Sequence, residues 1–163
     1  MEKPKEKVYL ETSVVSYYTG RPSRDLIAAA HQEITRIWWE RELSKYDICI
    51  SNYVIEEASQ GDPILAKKRL DALDGFQMLN IMSDIKKLSD AYIKATSLPE
   101  KARVDTLHMS IATLYQMDFM LSWNCKHIVN AHIIAIITNV NAEFGLQSPV
   151  ICTPYELMED YDV

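Results

Sequence analysis

Five side chains in this sequence could share one piece of chemistry: Glu11, Glu56, Glu57, Asp105 and Asn124. Each lies close to a short apolar run. Glu11 ends Val8-Tyr9-Leu10, Glu56 and Glu57 follow Tyr46–Ile50, and Asp105 opens the helical stretch that leads into Phe119-Met120-Leu121, after which Asn124 stands. If those runs are parallel strands, their carboxyl ends share one edge of the sheet and the five positions meet there. Several carboxylates at one edge repel one another unless a cation neutralises them. Hard oxygen ligands with open positions suit Mg²⁺ or Mn²⁺, which keep waters and bind substrate phosphate. The chemistry then on offer is attack of metal-activated water on a phosphodiester. Each acid also has a plainer reading. Glu11 can be a solvated strand end, one of Glu56 and Glu57 must point outward, and Asp105 can be a charge favoured by the helix start.

The elements that would position these residues can be read in order. A buried strand over Val8–Leu10 has its carboxyl end at Glu11. Gly20-Arg21-Pro22-Ser23 is a loop whose serine caps a helix from about residue 24 to 43, which carries Trp38 and Trp39 side by side. Tyr46–Ile50 is a second strand, and Ser51 caps a short helix bearing Glu56 and Glu57. Pro63 starts a helix to about Leu73 with Ile64, Leu65 and Leu70 inward and Lys67-Lys68-Arg69 largely outward. Gln77–Ile81 is a third strand, followed by a helix over 83–97. The stretch from Ala102 is amphipathic, with Leu107, Ile111, Leu114 and Tyr115 on one face to about Met117. Phe119–Leu121 is the fourth strand. Asn130 to Phe144 forms a helix closed by Gly145, Val150–Cys152 a fifth strand, and Pro154 begins a terminal helix to about Glu159. Short apolar strands separated by helices indicate a parallel sheet covered on both faces.

At 163 residues the chain is one domain, 1–163, large enough to bury a core without disulfides or structural metal. A net charge of −6 and a pI near 5.2 argue against a protein that coats nucleic-acid phosphate in general, but do not exclude a nuclease, because a carboxylate-rich metal site is itself acidic. Of three cysteines, Cys49 and Cys152 sit in apolar runs and read as core, whereas Cys125 is flanked by polar residues. An odd count without metal spacing fits a reducing, cytoplasmic setting. The charged opening MEKPKEK is unlike a secretory signal, and no apolar run approaches the roughly 20 residues of a membrane span. No glycine-rich phosphate loop and no nucleophile elbow is present.

The segments VYLETSVVSYY, ISNYVIEEASQGD, VDTLHMSIAT and FMLSWNCKHI, in that order and spacing, resemble the PIN-domain family, most of all the bacterial toxins of type II toxin–antitoxin pairs (VapC-like). The resemblance covers nearly the whole chain. It implies a three-layer α/β/α fold with a central parallel sheet of about five strands, and a metal-dependent endoribonuclease using Mg²⁺ or Mn²⁺. Carried over position by position, it implies catalytic roles for Glu11 (within E-T-S, where the family has D-T-S), Glu57 with Glu56 as the fallback, Asp105 with His108 one turn later, and Asn124. Glu11, Glu57 and Asp105 would hold one metal ion, with Ser13 and Asn124 ordering its waters and Thr12 beside them. Two positions depart from the family pattern. Glu11 is one methylene longer than Asp, and Asn124 is neutral where the family often has Asp.

Around these residues, His108 either orients Asp105 or is a hydrogen-bonded helix histidine. Lys126 and His127, and the cations Arg21, Arg24, Lys101 and Arg103, are the local candidates for RNA phosphate. Trp123 either stacks on a base or packs under the following helix. Tyr17 and Tyr18 with one of Trp38 and Trp39 would form an apolar groove for a small antitoxin protein. A homodimer is compatible with the sequence, and no membrane association is expected. The resulting first reading is an RNA-cleaving toxin. The second is a catalytically weak PIN-like module that binds RNA or a protein through the same edge. A phosphatase on a similar sheet would need a nucleophilic Asp where Glu11 stands.

Overall fold

Val8, Tyr9 and Leu10 are wholly buried, as a strand covered on both faces requires. In the computed structural model, which describes residues 2–159, they form β1 (Lys7–Leu10), the middle of a five-stranded, all-parallel sheet. Its partners are β2 (Asp47–Ser51), β3 (Gln77–Leu79), β4 (Phe119–Leu121) and β5 (Val150–Cys152), in the order β3-β2-β1-β4-β5. The chain therefore builds outward from β1 in one direction, then returns to its other side with β4. In register, Leu10 faces Leu121, and the Glu11 amide donates to the Leu121 carbonyl at 3.0 Å, carrying the ladder one step past the strand. That reversal of strand order opens a crevice at the carboxyl ends of β1 and β4.

Helices cover both faces, giving three layers. One group comprises α1 (Thr12–Thr19), α2 (Leu26–Arg41), α3 (Asn52–Ala58) and α4 (Pro63–Leu73), all of which pack about α1. The other comprises α5 (Ser83–Thr96), α6 (Arg103–Leu114) and α7 (Ala131–Glu143), with α5 packed on both α6 and α7. The α6 helix buries an unbroken run from His108 to Thr113, so more than one face of it lies inside. Its polar members are satisfied internally: Ser110 and Thr113 donate to carbonyls one turn back, at 2.7 and 2.9 Å. Gly145 takes φ +69 after α7, the left-handed cap expected there. Among the described residues no helix is long and apolar enough to cross a membrane.

The structure departs from the sequence expectations at four places and adds one helix to which they assigned no element. The stretch Thr12–Thr19 is helical, although Val14-Val15 and Tyr17-Tyr18 favour extended chain. Glu11 supplies the cap, accepting from the Ser13 amide at 3.1 Å, so tertiary context and a carboxylate cap outweigh β-branching. The α2 cap is Asp25, which accepts from the Ala28 amide at 2.8 Å; Ser23 instead accepts from the Asp25 amide. Ser51 stands at the start of α3 but spends its hydroxyl elsewhere. Ile64 is 65 % exposed, because Ala66 and Leu73 take the inner face of α4. After β5 the residues from Pro154 make hydrogen-bonded turns, with Glu156 accepting from the Thr153 amide and hydroxyl.

The contrast between the inner and outer positions is measurable. Ile111→Ala should cost about 2–5 kcal/mol in urea unfolding, since a wholly buried side chain leaves a cavity. Ile64→Ala should stay within about 0.5 kcal/mol. Similar costs for the two would contradict the observed packing of α4.

Candidate functional site

Glu11 ends the central strand with only 5 % of its surface exposed. Its Oε2 atom accepts from the Ser13 amide, from Ser13 Oγ in a short bond, and from Ser122 Oγ at 2.7 Å. Ser13 comes from the first turn of α1 and Ser122 from the first residue past β4, so the two sides of the crevice both close on one carboxylate oxygen. The same hydroxyls accept in turn from the Trp123 amide (to Ser13, 2.8 Å) and the Asn124 amide (to Ser122, 2.9 Å).

Glu57 reaches the same place from α3, whereas Glu56 on the neighbouring position is exposed. Its Oε1 accepts from Thr12 Oγ1 at 2.8 Å and from His108 Nε2 at 2.5 Å. The carboxylate can only accept, so Nε2 carries the proton. On the far side of the wholly buried imidazole, Nδ1 meets the Tyr9 hydroxyl at 2.6 Å, and that hydroxyl meets Ser51 Oγ at 2.8 Å. With Nδ1 unprotonated, that nitrogen accepts from Tyr9, which accepts from Ser51. A chain of four polar groups thus runs from the end of β2, through β1, to Glu57.

Glu11, Glu57 and His108 each offer a ligand atom, and these lie within 4.8 Å of one another. Among the described residues no other three such side chains do so. Asp105 stands outside that group. Its Oδ2 accepts from or pairs with His127 Nδ1 at 2.8 Å, and both side chains are largely buried. Asn124 is a turn former: its Oδ1 accepts from the His127 amide at 3.0 Å, and its carbonyl accepts from the Ile128 and Val129 amides.

Burial is the largest influence on both glutamates, yet it prevails in only one. At Glu11 it raises the pKa, and the neighbouring Glu57 charge adds to the rise, while His108 and the Ser13 and Ser122 bonds only partly offset it. At Glu57 the His108 bond and charge, with Thr12, outweigh burial and the pKa falls. Tyr9 is raised well above the usual phenol value, chiefly by burial, and stays a hydroxyl. Beside the glutamates lies an open cleft of about 510 Å³, walled by Ser13, Ser16, Tyr17 and Gln32 from one side and Glu57 and Gln60 from the other.

Would these residues accept a divalent cation? Glu11 Oε1 and Glu57 Oε2 accept no hydrogen bond among the described residues, while their sister oxygens are fully engaged. Two carboxylates each held by one oxygen and free at the other, lining one cleft, fit a hard cation. His108 Nε2 is occupied by Glu57, so the imidazole orients that carboxylate. Of the cations proposed from sequence, Arg103 is spent on Glu100, Asp90 and Ser89, within the fold. Arg21, Arg24, Lys101 and Lys126 are exposed and form no ion pair among the described residues.

The sequence assigns no site role to Ser122 or Tyr9, and Ser51 reads there only as a helix cap. Ser122 was visible as the first polar residue after the fourth strand. Tyr9 was hidden by its place in an apolar strand, since only the three-dimensional partner of its hydroxyl reveals its second role.

No family model matches the sequence, and no curated protein matches it. Among solved structures, the chain is similar to one from the crystal structure of VapBC2 from Rickettsia felis bound to a DNA fragment from their promoter. The match covers 90% of this chain and 98% of that chain, with a TM-score of 0.58 and 13% sequence identity. At that identity the likeness speaks for the fold. The three-layer, PIN-like architecture expected from the sequence motifs is the one the chain adopts.

Two measurements test this geometry. A folded-state pKa above the unfolded one means that Glu11 favours folding while protonated, and that its contribution is lost as pH rises from the ordinary value of 4.5 through the raised one. Glu11→Gln removes that loss, so the stability of the variant relative to the parent should grow from acid toward neutral pH in urea titrations. A constant difference would contradict the burial of this carboxyl. Separately, Tyr9→Phe leaves Ser51 Oγ and His108 Nδ1 without their buried partner and should cost about 1–3 kcal/mol.

Proposed function

We propose that this protein is a metal-dependent endoribonuclease, with Mg²⁺ or Mn²⁺ bound at the carboxyl edge of the sheet. The observation that carries the proposal is the pair of half-engaged carboxylates, Glu11 and Glu57, sharing one cleft at the point where the strand order reverses. Glu11 and Glu57 would hold the ion; Asp105, the third acid that the motif resemblance implies, stands outside their group and pairs with His127. When bound, the ion supplies a water nucleophile at neutral pH and a counter-charge for the phosphodiester.

The chain's own groups prepare that chemistry. Thr12 and His108 hold Glu57 ionised and fixed in direction, and Tyr9 and Ser51 fix the imidazole behind it. Ser13 and Ser122 hold Glu11, so the longer side chain that stands in place of Asp is pinned by three donors instead of ranging freely. His127 orients Asp105. RNA phosphates outside the cleft would meet Arg21, Arg24 and Lys126, whose charges are not consumed within the fold.

The neighbouring fold belongs to a protein solved as VapBC2 bound to promoter DNA. We extend from it, together with the motif resemblance, the reading of this chain as the toxin of a toxin–antitoxin pair with a small protein partner, acting in the cytoplasm. The second reading, a binding module of the same fold with little catalysis, gains from one observation: Asn124 is neutral and its carboxamide oxygen is committed to the His127 amide.

Cleavage of labelled single-stranded RNA separates these readings. Activity should vanish in EDTA, return with Mn²⁺ or Mg²⁺, and fall on the order of a hundredfold in Glu57→Gln. RNA retained but never cut would favour the binding module, and cleavage persisting in EDTA would defeat the metal assignment.

A further inference from the structure

Three rings stand against one another beside the two glutamates. Trp123 stacks on His31 with centroids 4.0 Å apart and planes at 15°, and Tyr17 meets both edge-on, 5.6 Å from His31 and 6.2 Å from Trp123. The cluster is anchored through Trp123. Trp123 Nε1 donates to the buried Thr35 of α2 at 2.7 Å, and the Trp123 amide donates to Ser13, the same hydroxyl that binds Glu11. Tyr17 is the ring that opens outward: it is half-buried and lines the cleft containing Glu11 and Glu57. It also lines the adjoining hollow that continues past Gln32 toward Tyr18 and Arg36. The floor of that passage is fixed, because Gln32 accepts from the Ser23 amide and donates to the Arg21 carbonyl.

An aromatic ring facing a cleft whose other walls are Ser13, Ser16, Gln32 and Gln60 suits a flat ligand with polar edges. Tyr17 is the one large apolar side chain on that cleft, whereas an apolar helix from a protein partner needs several. Tyr18 does not widen the aromatic surface, since it is stacked on Trp39 at 4.3 Å and 5°, and Trp38 is wholly buried. The groove expected from Tyr17, Tyr18 and a tryptophan is therefore two separate aromatic clusters. Resting on the ribonuclease reading above, we infer that Tyr17, backed by His31 and Trp123, is the stacking platform for a nucleobase next to the phosphodiester that the glutamates address. Stacking tolerates any base, so the platform positions the strand while leaving sequence choice to the polar walls. Burial keeps His31 below its ordinary pKa despite Asp25, so the backing ring is neutral near pH 7.

Anisotropy titrations with a short fluorescein-labelled single-stranded RNA, in EDTA so that nothing is cut, test this platform. Tyr17→Ala should weaken binding on the order of tenfold, and Tyr17→Phe should stay within about twofold of the parent. With the unaltered protein, one abasic position moved along the same RNA should reproduce the loss at one place in the strand. On that abasic RNA, Tyr17→Ala should lose nothing more. Equal binding by Tyr17→Ala and the parent, or no abasic position with a distinct effect, overturns the inference. Unchanged RNA binding with loss of a co-purifying protein partner overturns it too, and assigns the ring to a protein contact. Neither metal nor cleavage enters these titrations. Failure of the nuclease reading would show independently, as absence of Mn²⁺-dependent cleavage by the unaltered protein.

Discussion

Placing an ionisable carboxylate inside the end of the central strand constrains everything around it. Glu11 is almost wholly removed from water, and an unpaired carboxylate there would be far more costly than the sheet could tolerate. Three donors offset that cost, and they come from two different segments: the first turn of α1 and the residue after β4. Those segments are neighbours only because β4 adds beside β1 and not beside β3. The strand order, the helix that begins immediately after β1, and the crevice between the two strand ends are thus parts of one solution. Glu11 caps α1, and α1 supplies the serine that stabilises Glu11.

The second glutamate is treated in the opposite way. Glu57 keeps about a third of its side chain exposed and is steered by an imidazole that has no exposure at all. The outcome is a pair of carboxylates with pKa values displaced in opposite directions, Glu11 up and Glu57 down. Two adjacent carboxylates that must both ionise repel one another; here one holds its charge readily and the other releases a proton reluctantly. On the metal-dependent reading proposed above, a cation held by both would compete with that proton, and its affinity would fall as the pH falls toward the range in which Glu11 protonates.

Much of this was legible in the sequence. The five strands and most helices follow from short apolar runs and caps, and of the acids near the strand ends the sheet brings Glu11 and Glu57 together. Glu57 could be preferred over Glu56 only through the motif resemblance, because adjacent helical positions carry no sign of which points inward. The α1 helix was hidden because its residues favour extended chain and its cap is a glutamate, a residue seldom read as one. The Asp105–His127 pair and the Tyr9–His108–Glu57 chain join residues 22 to 99 positions apart. No local pattern encodes such distances; they emerge when strand order is known.

The three residues that follow β4 show how closely the site and its surroundings are joined. Ser122 turns its hydroxyl to Glu11, Trp123 sends its indole outward to Thr35 and His31, and Asn124 folds its carboxamide onto the His127 amide. The last of these closes the turn in which His127 reaches Asp105. An amide and a carboxylate serve this turn equally well as acceptors, but only the amide adds no further negative charge to the turn in which His127 meets Asp105. The short segment that carries this neutral side chain also fixes the aromatic wall beside the glutamates, through the Trp123 amide on Ser13 and the Trp123 ring on His31.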